Sequence, residues 1–182
     1  MNGRELIIGV TGGIAAYKTA ALVSQLVQAG AGVTVVMTRS ATQLVGPKTF
    51  EALTGRPVAL DMFGPGAHPH IELADTAELL CVAPATANLL AKAAWGLADD
   101  LLSTLLLAFD GPMVLAPAMN CRMWEKPPVQ RNVRQLREDG FTVLDPEEGF
   151  LSCRARGPGR MASPEKIFQV IADTMKNVGR GK

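Results

Sequence analysis

Residues 6–37 read LIIGVTGGIAAYKTAALVSQLVQAGAGVTVVM, and the fold follows from this stretch. Leu6-Ile-Ile-Gly-Val10 is a short unbroken apolar run, the pattern of a strand buried on both faces. Thr11-Gly-Gly-Ile-Ala15 is a turn. From 16 to 28 the apolar residues fall at helical spacing, with Ala20, Val23 and Val27 on one side and Ala21 and Leu22 beside them. Gly30 stops that helix, and Val33-Thr-Val-Val-Met37 is a second strand. Strand, helix and strand joined this tightly make a parallel βαβ unit with a right-handed crossover.

The alternation continues along the chain. Residues 38–42 open a helical stretch with Ser40 as its cap. Residues 57–69, rich in Pro, Gly and His, read as loop. Residues 78–83 are a buried strand, 86–95 and 99–109 helical, 113–116 a strand, 129–139 a helix and 141–144 a last strand. Residues 145–162 are dense in Gly, Pro and Arg; an irregular segment of that length is either disordered or a functional lid, and a substrate lid is the expectation here. A closing helix spans 164–178, with Ser163 as N-cap and Pro164 at its first position, and 179–182 form a tail. Residues 1–182 are therefore expected to form one domain, a three-layer α/β/α doubly wound parallel sheet of Rossmann-like type.

Composition excludes several classes of function. The chain has 182 residues, 48% hydrophobic and 19% charged, with 18 basic and 17 acidic residues. No basic stripe is present, which argues against nucleic acid. No apolar run is long enough for a membrane span, and no signal-type segment follows Met1, so a cytoplasmic location is expected. Three cysteines do not make a disulfide framework: Cys81 reads as strand core, Cys121 and Cys153 as loop residues, and His68 and His70 lack metal-type partners. A chain this apolar and this sparsely charged is expected to assemble as a homo-oligomer.

Four segments carry chemistry. Gly12 and Gly13 follow a strand and open a helix, where free amides bind a phosphate; the turn is neither a Walker A nor a full Gly-x-Gly-x-x-Gly pattern, and a mere tight connection is the simpler alternative. Thr38, after the second strand, stands where a dinucleotide site needs an acidic ribose ligand, and with Ser40 offers hydroxyls to the same phosphate; a mononucleotide such as FMN fits better. Pro84-Ala-Thr-Ala-Asn88 gives small residues for a flat ring, with Thr86 and Asn88 for its polar edge; Thr86 as a plain helix cap is the simpler alternative. Pro117-Ala-Met-Asn-Cys-Arg-Met-Trp124 puts the uncharged amide of Asn120 beyond a buried strand, where ligands of open α/β sheets sit; the bland alternative is a loop Asn satisfying backbone groups. His70 is a loop imidazole of suitable basicity for proton transfer, with a merely exposed histidine as the alternative; His68 is expected to be merely exposed. Cys153 is flanked by Arg154, Arg156 and Arg160, which favour a thiolate and attract anions; an idle surface thiol is the alternative.

In order, these segments are Gly12-Gly-Ile14, His70 before Ile-x-Leu-Ala, Pro84-Ala-Thr-Ala-Asn88, Pro117-Ala-Met-Asn-x-x-Met-Trp124 and Cys153-x-x-x-Gly-x-Gly-Arg-Met161. Together they resemble the homo-oligomeric flavin-containing cysteine decarboxylases, from Leu6 to about Phe168. The resemblance implies a flavodoxin-like flavoprotein that binds FMN between subunits of a homo-oligomer, either a trimer or trimers assembled into a dodecamer. It implies that Gly12, Gly13, Ile14, Thr38 and Ser40 hold the FMN phosphate and that Thr86, Ala87, Asn88, Leu89 and Ala118 line the flavin. It further implies His70 as base, Asn120 as carboxylate contact, Cys153 as proton donor, and Met123 and Arg160 as further substrate contacts. The implied reaction is decarboxylation of a small phosphorylated cysteine conjugate, 4′-phosphopantothenoylcysteine, in coenzyme A biosynthesis: oxidation at the thiol carbon, loss of CO₂, then re-reduction.

Two departures from the family pattern stand out. Leu89 replaces a frequent Thr after Pro-x-x-Ala-Asn, at the expense of one polar flavin contact. The sequence ends at Lys182, where many relatives continue into a synthetase; that ligase is expected as a separate protein, unless the chain is a piece of a longer one. Three other readings remain: a peptidyl-cysteine decarboxylase, a flavin prenyltransferase, which would not need His70 or Pro-x-Met-Asn, and a non-catalytic flavin-binding regulatory subunit, whose usual acidic tail is missing here.

Overall fold

Five parallel strands run through the middle of the molecule: β1 (Glu5–Val10), β2 (Gly32–Met37), β3 (Leu79–Ala85), β4 (Met113–Pro117) and β5 (Thr142–Val143). Their order is β2-β1-β3-β4-β5. A computed structural model supplies this architecture and describes residues 1–63, 68–150, 154 and 156–178. Eight helices join the strands and flank the sheet among the described residues: α1 (Ala16–Gln28), α2 (Pro47–Thr54), α3 (Pro69–Thr76), α4 (Ala87–Trp95), α5 (Leu101–Ala108), α6 (Cys121–Trp124), α7 (Pro127–Glu138) and α8 (Pro164–Val178). The expected three-layer doubly wound fold is therefore the observed one. None of the described helices is long and apolar enough to cross a membrane.

Strand alternation explains the layers. Leu6, Ile8 and Val10 of β1 join Leu79, Cys81 and Ala83 of β3 in one apolar core, beneath α1, α2 and α8. Ile7, Leu80 and Val82 point the other way, into a second core closed by α4, α5 and α7. Buried on both faces, the strands need no polar alternation, hence their continuous apolar runs. Burial pushes the Cys81 thiol up to about 12, so it serves as a small hydrophobe. In α1 the buried stripe is Ala16, Thr19, Leu22, Val23 and Leu26; Ala20 and Val27, expected on the apolar side with Val23, are only partly buried against the core.

Four local expectations need correction. The helical stretch at 38–42 is one 3-10 turn, Ala41–Gln43, and Ser40 makes no side-chain cap bond there. Thr38 Oγ1 accepts the Ala41 N–H instead, at 3.3 Å. The 57–69 segment is not all loop: Ala59 bridges Val36 in parallel, and α3 begins at Pro69 with His70 in its first turn. Cys121 is not in a loop but opens α6. The 145–162 segment carries an antiparallel hairpin, β6 (Glu147–Phe150) and β7 (Arg156–Arg160). Single-residue turn signals dominate that stretch, and the pairing is visible only once both arms are in place. Cys153 and the 179–182 tail lie outside the described residues.

Candidate functional site

In this strand order the chain leaves β1 toward β2 on one side and reaches β3 on the other, so a crevice opens beyond the ends of β1 and β3. Thr11 braces its floor. Its buried Oγ1 donates to the Pro84 carbonyl at 2.6 Å and accepts the Thr86 N–H at 3.2 Å. Thr19 Oγ1 donates to the Ala83 carbonyl at 2.6 Å. The β1–α1 turn is packed too tightly for side chains: a Cβ on Gly12 would collide with Ser40 Cβ, and one on Gly13 would lie 3.2 Å from Pro84 Cγ. No side chain caps α1 at Ala15. Among the described residues, no hydrogen bond engages the backbone N–H of Gly12, Ile14 or Ala15. A positive helix end with free donors is an anion site.

That turn forms one wall of a cavity of about 610 Å³, within the range of small-molecule and cofactor sites. Gly12, Gly13, Ile14, Tyr17 and Lys18 come from the turn and α1. Thr86 and Ala87 follow β3; Ala118, Met119, Asn120 and Met123 follow β4; Gly159 and Arg160 belong to β7. The hairpin reaches the cavity because Met119 N–H donates to the Gly159 carbonyl at 2.9 Å. Gly159 has φ +135, and a Cβ there would strike the Met119 carbonyl, so only glycine fits.

Of the residues singled out from the sequence, Gly12, Gly13, Ile14, Thr86, Ala87, Ala118, Asn120, Met123 and Arg160 meet in this cavity. Thr38 and Ser40 stand behind the glycine turn rather than among the lining residues: Thr38 N–H donates to the Val10 carbonyl at 3.0 Å. Asn88 is exposed on the first turn of α4. Leu89 is buried in the second core and gives the site only its backbone N–H, which Thr86 Oγ1 accepts at 3.4 Å. Thr86 thus caps α4 and lines the cavity at once. Asn120 does likewise: its Oδ1 accepts the Arg122 N–H at 2.8 Å, capping α6. His70 does not line its own chain's cavity. It sits on α3 with its ring edge against His68, centroids 6.3 Å apart, and its Nδ1 is buried without a partner among the described residues.

Lys18 is the main lining residue the sequence reading missed. It is the only charged residue of α1 and stands in the first turn, where a cation opposes the helix dipole; that misplacement was the available signal. Partial burial holds its ammonium below the usual lysine range, Arg160 presses in the same direction, and Glu147 and Glu165 act against them.

The Flavoprotein family pattern matches residues 1–176. The chain belongs to the Flavoprotein family. Within it, the chain is 48% identical over 173 residues to the coenzyme A biosynthesis bifunctional protein CoaBC of Bacillus subtilis (strain 168), covering 93% of this chain and 43% of that protein. It thus spans less than half the length of that relative. Among solved flavoprotein structures it is similar to the FMN-dependent cysteine decarboxylase SpaF, with TM-score 0.83, 38% identity, 95% of this chain and 98% of that one. It is also similar to a mutant PPC decarboxylase complexed with pantothenoylaminoethenethiol, with TM-score 0.85, 30% identity, 95% and 98%.

Proposed function

We propose that the chain is an FMN-dependent carboxy-lyase that converts 4′-phosphopantothenoylcysteine to 4′-phosphopantetheine in coenzyme A biosynthesis, as a cytoplasmic homo-oligomer. One observation carries the reading: a single cavity gathers two kinds of anion-binding group, the free amides at the uncapped N-terminus of α1 and the side-chain cations of Lys18 and Arg160. A mononucleotide cofactor and a phosphorylated substrate together need two. The likeness to CoaBC and to a PPC decarboxylase supports the substrate class.

The residues fit FMN. The amides of Gly12, Ile14 and Ala15 would hold its phosphate, and Thr86, Ala87 and Ala118 leave a flat wall free of bulk. When bound, the cofactor supplies a two-electron acceptor that becomes the donor in the closing reduction. The protein supplies position and proton transfer. Asn120 orients the substrate carboxylate without a countercharge that would stabilise it against leaving, and Met123 packs beside it. Lys18 and Arg160 take the substrate phosphate. His70 removes the thiol proton and Cys153 returns a proton at the end. Residues 145–162 would close over the substrate as a lid.

Because His70 lies outside its own chain's cavity, this reading needs a second copy to bring it there, as a trimer or trimers in a dodecamer would. Exposed apolar residues are available on both faces: Ile14 and Tyr17 at the cavity, Phe63, Ile71 and Leu107 around α3 and α5. The test is incubation of FMN-loaded protein with 4′-phosphopantothenoylcysteine, and separately with a peptide ending in Cys, followed by mass spectrometry. Formation of 4′-phosphopantetheine is expected. Turnover of the peptide alone, or failure to retain FMN, overturns the assignment.

A further inference from the structure

Glu147 faces one cavity cation, Arg160, across the hairpin and acts electrostatically on the other, Lys18, without lining the cavity itself. It opens β6 directly opposite Arg160 in the hairpin register. Its Oε1 accepts the Ser163 N–H at 3.0 Å, which fixes the carboxylate at the root of the hairpin, next to the start of α8. From there its charge reaches Lys18, as do those of Arg160 and Glu165. Glu165 is a different case: it is exposed and bonded by Gln25 Nε2 at 3.2 Å, so solvent screens it.

We propose that Glu147 is a specificity-determining residue that tempers the Lys18–Arg160 pair and sets how tightly the site holds a phosphate monoester. The inference rests on the function proposed above. Its logic is kinetic as well as electrostatic. Substrate and product carry the same phosphate, so attraction for that group is uniform along the reaction; it lowers KM and does nothing for the chemical step. Two untempered cations would hold product as firmly as substrate. A carboxylate fixed beside them weakens both equally and keeps release fast.

The test uses the full FMN-loaded chain. In Glu147→Gln the amide oxygen still accepts the Ser163 N–H, so the hairpin root is kept while the charge is lost. Measured are kcat and KM for 4′-phosphopantothenoylcysteine and for its unphosphorylated counterpart, and the inhibition constant of inorganic phosphate. Loss of one charge some ångströms away in a partly solvated site should lower the phosphorylated KM and the phosphate inhibition constant about three- to ten-fold. The unphosphorylated KM should not move, and the difference should shrink as salt rises. Glu165→Gln should match wild type, Glu147→Asp should stay close to it, and in a Lys18→Gln background the effect of Glu147→Gln should be reduced. Unchanged constants in a folded Glu147→Gln, or equal changes for both substrates, make Glu147 a hairpin anchor only and overturn the inference. If Glu147→Gln does not fold, a phosphate constant in Glu147→Asp unlike that of wild type overturns it. A wild-type enzyme that decarboxylates both substrates with equal KM removes the phosphate-recognition reading beneath it, and an inactive wild type removes the function itself.

Discussion

Asn120 shows how a capping residue and a substrate contact are combined in one side chain. Its Oδ1 is committed to the Arg122 amide, and Asp caps a helix as well as Asn does. Asn120→Asp should therefore keep the fold and its melting temperature while putting a negative charge against the substrate carboxylate. We expect kcat/KM to fall at least about 100-fold, an effect of the size that a misplaced charge in a partly desolvated site produces. Near-normal turnover would take Asn120 out of carboxylate recognition. His70→Asn should retain bound FMN and lose about 10²–10⁴-fold in rate, the usual range for a general base. His68→Asn, which removes only the ring lying against His70, should be close to silent by comparison. For Cys153→Ser we expect oxidised, decarboxylated product two mass units below the thiol amine, because a serine hydroxyl is far less acidic than a thiol. Normal reduced product from that variant would reassign the proton donor.

At the scale of elements, the start of α5 holds a compact charged unit. Asp100 caps the helix through the Ser103 N–H at 2.8 Å, and Ser103 Oγ accepts the Asp100 N–H at 3.0 Å in return. Lys92, at the end of α4, donates to Asp100 at 2.9 Å and also pairs with Asp99. Burial alone would push the Asp100 carboxyl up, but the Ser103 and Lys92 hydrogen bonds outweigh it and hold the group below its usual range. A carboxyl depressed in the fold stabilises above the ordinary Asp value near 4, and that contribution is lost as pH falls through the depressed one. Asp100→Ala should cost about 1 kcal/mol or more at neutral pH, and the gap to wild type should close in acid. Urea melts at pH 7 and near pH 3 measure both; a gap that stays constant with pH would discard the charge argument. The sequence shows the start of this helix but not the cap's partner, because Lys92 belongs to the preceding element.

At the scale of the whole molecule, the question is whether one chain holds a complete site. His70 and Asn120 do not share a cavity within one chain. If neighbouring copies complete each other's sites, mixing His70→Asn with Asn120→Asp under exchange conditions should restore part of the activity, since some mixed sites receive an intact residue from each chain. Each variant alone should stay inactive. No recovery in mixed oligomers of confirmed composition would mean that a single chain assembles its own site.

The sequence by itself determined the layers and named most of the residues that line the cavity, while the strand order that opens the crevice came from the tertiary structure. Continuous apolar runs such as 79–83 mark strands buried on both faces, and the glycine turn and Pro117-Ala-Met-Asn120 must then fall beyond strand ends. These are local patterns, set by backbone sterics and by period. Only the tertiary structure decided which of the named residues meet. Leu89 faces the core because α4 turns it away from the cavity, and Thr38 and Ser40 stand behind Gly12 rather than beside it. The hairpin at β6 and β7 was illegible because Gly149, Gly157, Pro158 and Gly159 are turn signals within its arms and neither arm has an apolar strand pattern. Lys18 came into view for the same reason that Glu147 did: a charge gains meaning from the charges opposite it, and Lys18 on α1 meets the charges of Glu147 and Arg160 on a hairpin far from it in the chain.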